Sequence, residues 1–315
     1  MRARLWIVWC PVWVVAAMIA APRSGACPLQ RTGGWGTFGS AAGQFSFAHH
    51  LAVAPASGDV YVGDLLNNRV QRFDRDGVFL GAWQRQGTDG VSVGSDGSVF
   101  VVGDDHVTKH SASGTLLTSW GGSGTTPGLF QFPIDVAVDA QGFVYVADWM
   151  NHRVQKFSDS GAFVTLWHIS DTGPISVSIA PSGEVYTSHF GATLIQAWSA
   201  SGDFIRAWGT LGTDDGQFDS PGKVAFDAVG NVVVPDGGNG RVQVYTEAGV
   251  FLCTWGSQGS GADQLFHPTA VGAHQGRVYV MDKDNHRVVR LEGLPTSVAL
   301  CSWSWVKVLY RGTRP

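Results

Sequence analysis

Charged residues are scarce: Asp, Glu, Lys and Arg make up 15% of the 315 residues, against about a quarter in ordinary soluble domains. There is no run of Lys or Arg and the formal net charge is −4, so the basic footprint that neutralises nucleic-acid phosphates is missing. Cysteine is rare, four residues with no Cys-x-x-Cys pair, which removes the paired-cysteine zinc scaffolds. Apart from Leu5 to Ala21, no apolar run approaches the length of a membrane span. What the chain has instead is 42 glycines and 13 tryptophans. That richness in glycine disfavours long helices and coiled coils, and the 44% hydrophobic content supports one sizeable core.

Residues 1–26 read as a secretory signal. Arg2 and Arg4 start a segment whose apolar stretch, Leu5 to Ala21, is interrupted only by Pro11. Ser24 and Ala26 supply a small-x-small site that places the cut before Cys27. Loss of Arg2, Arg4 and Arg23 leaves 18 basic against 25 acidic side chains, so anionic membrane surfaces are disfavoured. The mature chain keeps Cys27, Cys253 and Cys301. An oxidising compartment permits a Cys253–Cys301 bridge, though three thiols leave the pairing open. Ser24-Gly25-Ala26-Cys27 also resembles a bacterial lipobox, which offers a lipid anchor at Cys27 as the alternative to simple cleavage.

Residues 130–167 hold four short β-rich stretches separated by glycine turns, the pattern of consecutive hairpins. The pattern recurs with a tryptophan at the same phase: Trp35, Trp83, Trp120, Trp167, Trp208 and Trp255, at intervals of 48, 37, 47, 41 and 47 residues. A four-stranded unit of this size cannot cover both faces alone, and radial stacking of six such sheets does so. The expectation is all-β, a six-bladed propeller of four-stranded antiparallel blades over 27–292, with a C-terminal tail at 293–315. The sixth unit lacks an outer strand after Leu291, while Trp35 closes an outer strand that nothing precedes. Residues near 30–37 are therefore expected to complete blade six, with the tail as competitor, as outside packing or as a sorting signal.

Val144-Tyr145-Val146-Ala147-Asp148, followed by Asn151-His152-Arg153-Val154 and Phe157, resembles the NHL repeat, named for its Asn-His-Leu consensus. The resemblance extends over about residues 35–292. Its Asp-to-Arg spacing recurs as Asp64/Arg69, Asp148/Arg153, Asp236/Arg241 and Asp282/Arg287. These pairs read as mainly structural hairpin elements, since a scaffold needs the same contact in each repeat. The fourth repeat departs with His189 and Leu194 at the two positions, and the second is cut short around Gly103, Asp104 and His106.

Connection lengths divide the blades. From outer-strand tryptophan to next inner strand, Trp35 to Leu51, Trp120 to Val136, Trp208 to Val224 and Trp255 to Val271 are each 16 apart. Trp83 to Val91 and Trp167 to Ile175 are 8 apart, and these lead into the blades without the Asp…Arg pair. A face uneven at blades two and four is expected to meet a partner. The residues rimming the channel there are His50, Gly90, Asp135, Pro174, Lys223 and Ala270, preceded by His49, Asp89, Ile134, Gly173, Gly222 and Thr269. His49, His50, Asp135 and Lys223 form the candidate binding cluster. Gly90-Val91-Ser92-Val93-Gly94 matches a nucleophile elbow only in letters, because it falls on an inner strand rather than a strand-to-helix turn.

The resulting expectation is an extracytoplasmic, monomeric binding or scaffold module that engages a protein, peptide or glycan. It involves no nucleic acid, no membrane span after processing and no cofactor. The alternative is a metal-dependent propeller enzyme, a lyase or lactonase, with Zn or Ca near His49, His50 and Asp135. The peptide-amidating lyases, similar propellers, use histidines after a proline to hold zinc; here only His49 matches, and Ala48 replaces the proline.

Overall fold

The structure, a computed structural model, describes residues 27–169, 172–189, 191 and 193–294. The expected signal segment, Cys301 and the tail beyond Leu294 lie outside the described residues. The chain forms a six-bladed propeller of four-stranded antiparallel sheets. Blade one contains Ala48–Val53, Val60–Asp64, Arg69–Phe73 and Phe79–Gln84, and blades two to five repeat that order within 91–121, 133–168, 174–208 and 225–255. Blade six takes Pro268–His274, Arg277–Asp282 and Arg287–Glu292, and its outer strand is Gln30–Trp35 from the start of the chain. The ring thus closes by pairing its two ends, with Trp35 opposite Val288. That place being filled, no strand from the tail is required.

The second strand of each of blades one to five is buried along its whole length. Its Val- and Tyr-rich sequence suits a strand covered on both faces by neighbouring blades. The outer-strand tryptophans work between blades. Each ring lies against a glycine in a turn of the next blade: Trp35 on Gly77, Trp83 on Gly114, Trp120 on Gly161, Trp167 on Gly202 and Trp208 on Gly249. A Cβ on Gly161 would stand 2.6 Å from the Trp120 ring, and φ there is +90°, so both space and backbone demand glycine. These five indole N–H groups find no acceptor among the described residues, so the rings contribute area and shape rather than polarity.

Among the described residues Trp255 has no such glycine, because the matching turn of blade six is where the two strands from opposite ends of the chain meet. Leu29, Leu291 and Cys27 cover that region instead. Cys27 is joined by a disulfide to Cys253, on the outer strand of blade five. This corrects the expected Cys253–Cys301 bridge, and the reason is spatial: ring closure carries the N-terminal segment past blade five.

Candidate functional site at the channel mouth

The repeated Asp…Arg hairpin sits at one end of the central channel. Arg69, Arg153, Arg241 and Arg287 each donate Nε–H to their repeat's Asp at 2.7–2.8 Å. The remaining guanidinium N–H groups donate to carbonyls of the long connection, such as Ser40, Ala41 and Gln44 for Arg69, and Thr125, Thr126 and Leu129 for Arg153. The arginine therefore serves the long connection. Blades two and four, which lack that connection, have no carbonyls for it to hold. Blade two instead turns in two residues, Asp104 and Asp105, both at positive φ as a tight hairpin requires.

The aspartates act one step further. Each accepts a backbone N–H from the long connection: Ser46 to Asp64, Gln131 to Asp148, Asp219 to Asp236 and Phe266 to Asp282, at 2.6–2.8 Å. The residue after each anchored amide is held in the left-handed region without being glycine: Phe47 (φ 56°), Phe132 (55°), Ser220 (58°) and His267 (57°). Such conformations cost on the order of 1–3 kcal/mol each and persist where surroundings over-determine them. The four come from blades one, three, five and six, and all four line one cavity of about 360 Å³.

That cavity is the channel mouth on the loop-rich face. Phe47, Phe132, Trp149, Ile134 and Ile175 supply apolar wall, and His49, His50, Asp89, Lys223, His267 and Lys283 supply its polar groups. Phe132 is 60% exposed, stacks edge-on against Trp149 at 5.7 Å, and its amide donates to Asp105 of blade two. On the opposite side Lys283 Nζ lies 4.5 Å from the centre of the Phe47 ring, and Phe47 packs on His49 at 4.6 Å. His267 lies 3.4 Å from Asp284, and burial together with the nearby Lys283 charge holds its imidazole below the ordinary histidine value. A second, larger cavity of about 800 Å³ opens at the other end among the short turns, and Lys223 borders both.

The four-residue cluster expected from sequence divides in two. Lys223 Nζ donates to Asp135 at 2.7 Å and to the Val91 and Val136 carbonyls at 3.1 and 3.0 Å. Asp135 accepts the Val177 amide on its other oxygen. Asp135 is fully buried, and the pair ties blades two, three, four and five across the channel. Its polar atoms are already engaged, so it is a cross-brace and Asp135 is not available beside the histidines. The carboxylate that does meet them is Asp89, whose Oδ1 lies 3.2 Å from His50 Nδ1 and 3.6 Å from His49 Nδ1. Burial opposes charge on Asp89, but the two imidazole contacts outweigh it and hold the carboxyl well below its ordinary range.

Sequence reasoning placed Asp89 on the rim and did not join it to the histidines. The signal that brings them together is a bulge. In blade one the pairing register shifts between Ala48 and His50, so the strict alternation that would send consecutive residues to opposite faces is broken there. Blades three, four and six carry the same shift, between Pro133 and Asp135, Pro174 and Ser176, and Pro268 and Ala270.

A family model for the NHL repeat matches residues 130–157. No curated protein matches the chain. Among solved structures, a protein of unknown function from Bacteroides thetaiotaomicron is 16% identical with a TM-score of 0.68, covering 84% of this chain and 75% of its own. Virginiamycin B lyase from Staphylococcus aureus is 13% identical with a TM-score of 0.60, covering 84% and 98%. The same lyase as a catalytically inactive histidine-to-alanine variant with quinupristin is 12% identical with a TM-score of 0.58, again covering 84% and 98%. At these identities the likeness is one of fold.

Proposed function

We propose that this six-bladed propeller with its NHL repeat is an extracytoplasmic binding module that takes a peptide, protein or glycan segment into the channel mouth of its loop-rich face. The observation that carries the reading is the set of four rim residues, Phe47, Phe132, Ser220 and His267, held in left-handed backbone around one cavity. Neither core packing nor blade pairing needs a large exposed phenylalanine in that conformation. Aromatic walls with a few polar groups at the base are what recognition of a partly apolar segment requires. Two features support the compartment: residues 1–26 have the composition of a secretory signal, and Cys27–Cys253 is a bond that persists in oxidising surroundings. Among the described residues no helix is long and apolar enough to cross a membrane.

The test is a screen of fluorescently labelled short peptides and oligosaccharides against the mature protein. Hits are expected to weaken at least about tenfold in a Phe132→Ala/Trp149→Ala variant, the scale of a lost aromatic anchor. They should be unchanged in Gln141→Ala, at the opposite mouth. Hits that bind the double variant as tightly as the wild type would place recognition elsewhere and overturn the proposal.

A further inference from the structure

We propose that His49, His50 and Asp89 form a binding site for one divalent transition-metal ion, with an open coordination position facing the mouth. The ligand atoms of the three residues all lie within 4.8 Å of one another. Tetrahedral zinc, with bonds of about 2.0–2.2 Å to nitrogen and oxygen, places neighbouring ligand atoms roughly 3.3 Å apart. The two distances to Asp89, 3.2 and 3.6 Å, already have that spacing.

Three further observations bear on the site. The bulge at His49 turns two consecutive histidines toward one carboxylate oxygen. In blades three and six the residues at those positions are Ile134 with Asp135 and Thr269 with Ala270, so the fold supplies the geometry and blade one alone fills both places with imidazole. Among the described residues Asp89 has no Lys or Arg partner within ion-pair distance, although its side chain is only 14% exposed. A largely covered carboxylate flanked by imidazoles alone gains most from a cation between them. The His49 side chain is 29% exposed and all three residues line the cavity, which leaves room for an exogenous ligand atom.

Two imidazoles and one carboxylate suit Zn²⁺, Co²⁺ or Ni²⁺, whereas Ca²⁺ takes oxygen ligands. This narrows the Zn-or-Ca alternative to the nitrogen-binding ions and puts Asp89 where Asp135 was expected. A metal in this position would favour mouth ligands carrying a carboxylate or carbonyl oxygen.

The experiment is titration of the chelator-stripped mature protein with Co²⁺, followed by visible absorption and by calorimetry, and with Zn²⁺ in competition. One equivalent with the d–d bands of a four- or five-coordinate site is expected. Binding should weaken at least about 100-fold in His49→Ala and in Asp89→Asn, more than loss of an outer partner costs. The exposed His106→Ala serves as control and should bind like wild type. His49 is partly exposed, so that variant keeps its fold even if Asp89→Asn does not, and thermal unfolding of each verifies this. No stoichiometric Co²⁺, or equal binding by His49→Ala, overturns the site. Because no mouth ligand is used, that failure leaves the binding-module proposal standing, and loss of peptide hits with Co²⁺ still bound does the reverse.

Discussion

His189 stands where four repeats carry aspartate, and its environment is different in kind. It is 1% exposed, contacts Thr187 and the Thr172 carbonyl, and burial lowers its pKa to about 4 from an ordinary 6.5. The folded state therefore keeps this imidazole neutral while the unfolded chain takes up a proton below pH 6.5. The associated stability is fully present above pH 6.5 and is lost as pH falls from 6.5 through about 4, by up to about 3 kcal/mol at 1.36 kcal/mol per unit. Denaturant midpoints at pH 7 and pH 4.5 are expected to differ less in His189→Gln than in the wild type. An unchanged pH slope in that variant would remove His189 as the source. The Asp135–Lys223 brace teaches the complementary lesson: both residues were legible as channel residues, but which group each would meet was not. Strand position is read from periodicity, whereas the reach of a lysine across a channel, over a separation of 88 residues, is not.

At the scale of the element, the hairpin and the long connection form one device. The arginine holds the connection's carbonyls, the aspartate holds the amide before the rim residue, and the rim residue faces the mouth. Their joint absence from blades two and four was visible in the sequence as a coincidence of spacings; the hydrogen bonds supply its cause. The tryptophan repeat is the other device, and it was legible because it recurs in phase. Trp208 lies against Gly249 and contacts Tyr186 and Tyr245, one residue from its own blade and one from the next. Trp208→Ala should cost roughly 3–5 kcal/mol as an aromatic truncation between blades. Thermal or urea unfolding checks this, and a wild-type-like transition would mean the ring does not join the two blades.

For the whole molecule, the decisive contact is closure. Blade six draws three strands from the end of the chain and one from its beginning, so opening that seam costs a complete strand pairing and the cover over Trp255. The Cys27–Cys253 bond spans 226 residues across the same seam. By the chain-entropy argument a loop of that size corresponds to on the order of 5 kcal/mol of stabilisation, with measured cases commonly 2–4. Cys27→Ser, or reduction of the wild type, is expected to lower the unfolding free energy by an amount in that range, read from urea titrations, while the native ring still forms. Equal stability of oxidised and reduced protein would show that strand pairing alone holds the ends.

The sequence by itself determined the number of blades, their phase and the division into long and short connections, and it pointed to residues near 30–37 for closure with the tail as competitor. All of these follow from patterns repeated along the chain, and a repeat that cannot cover its own faces has one way to do so. Only the tertiary structure decided which residues meet at the channel. It paired Cys253 with Cys27, set Lys223 on Asp135 and brought Asp89 to His49 and His50. Those contacts join blades far apart in sequence, through side-chain reach and a one-residue bulge, and neither leaves a period for the sequence to show.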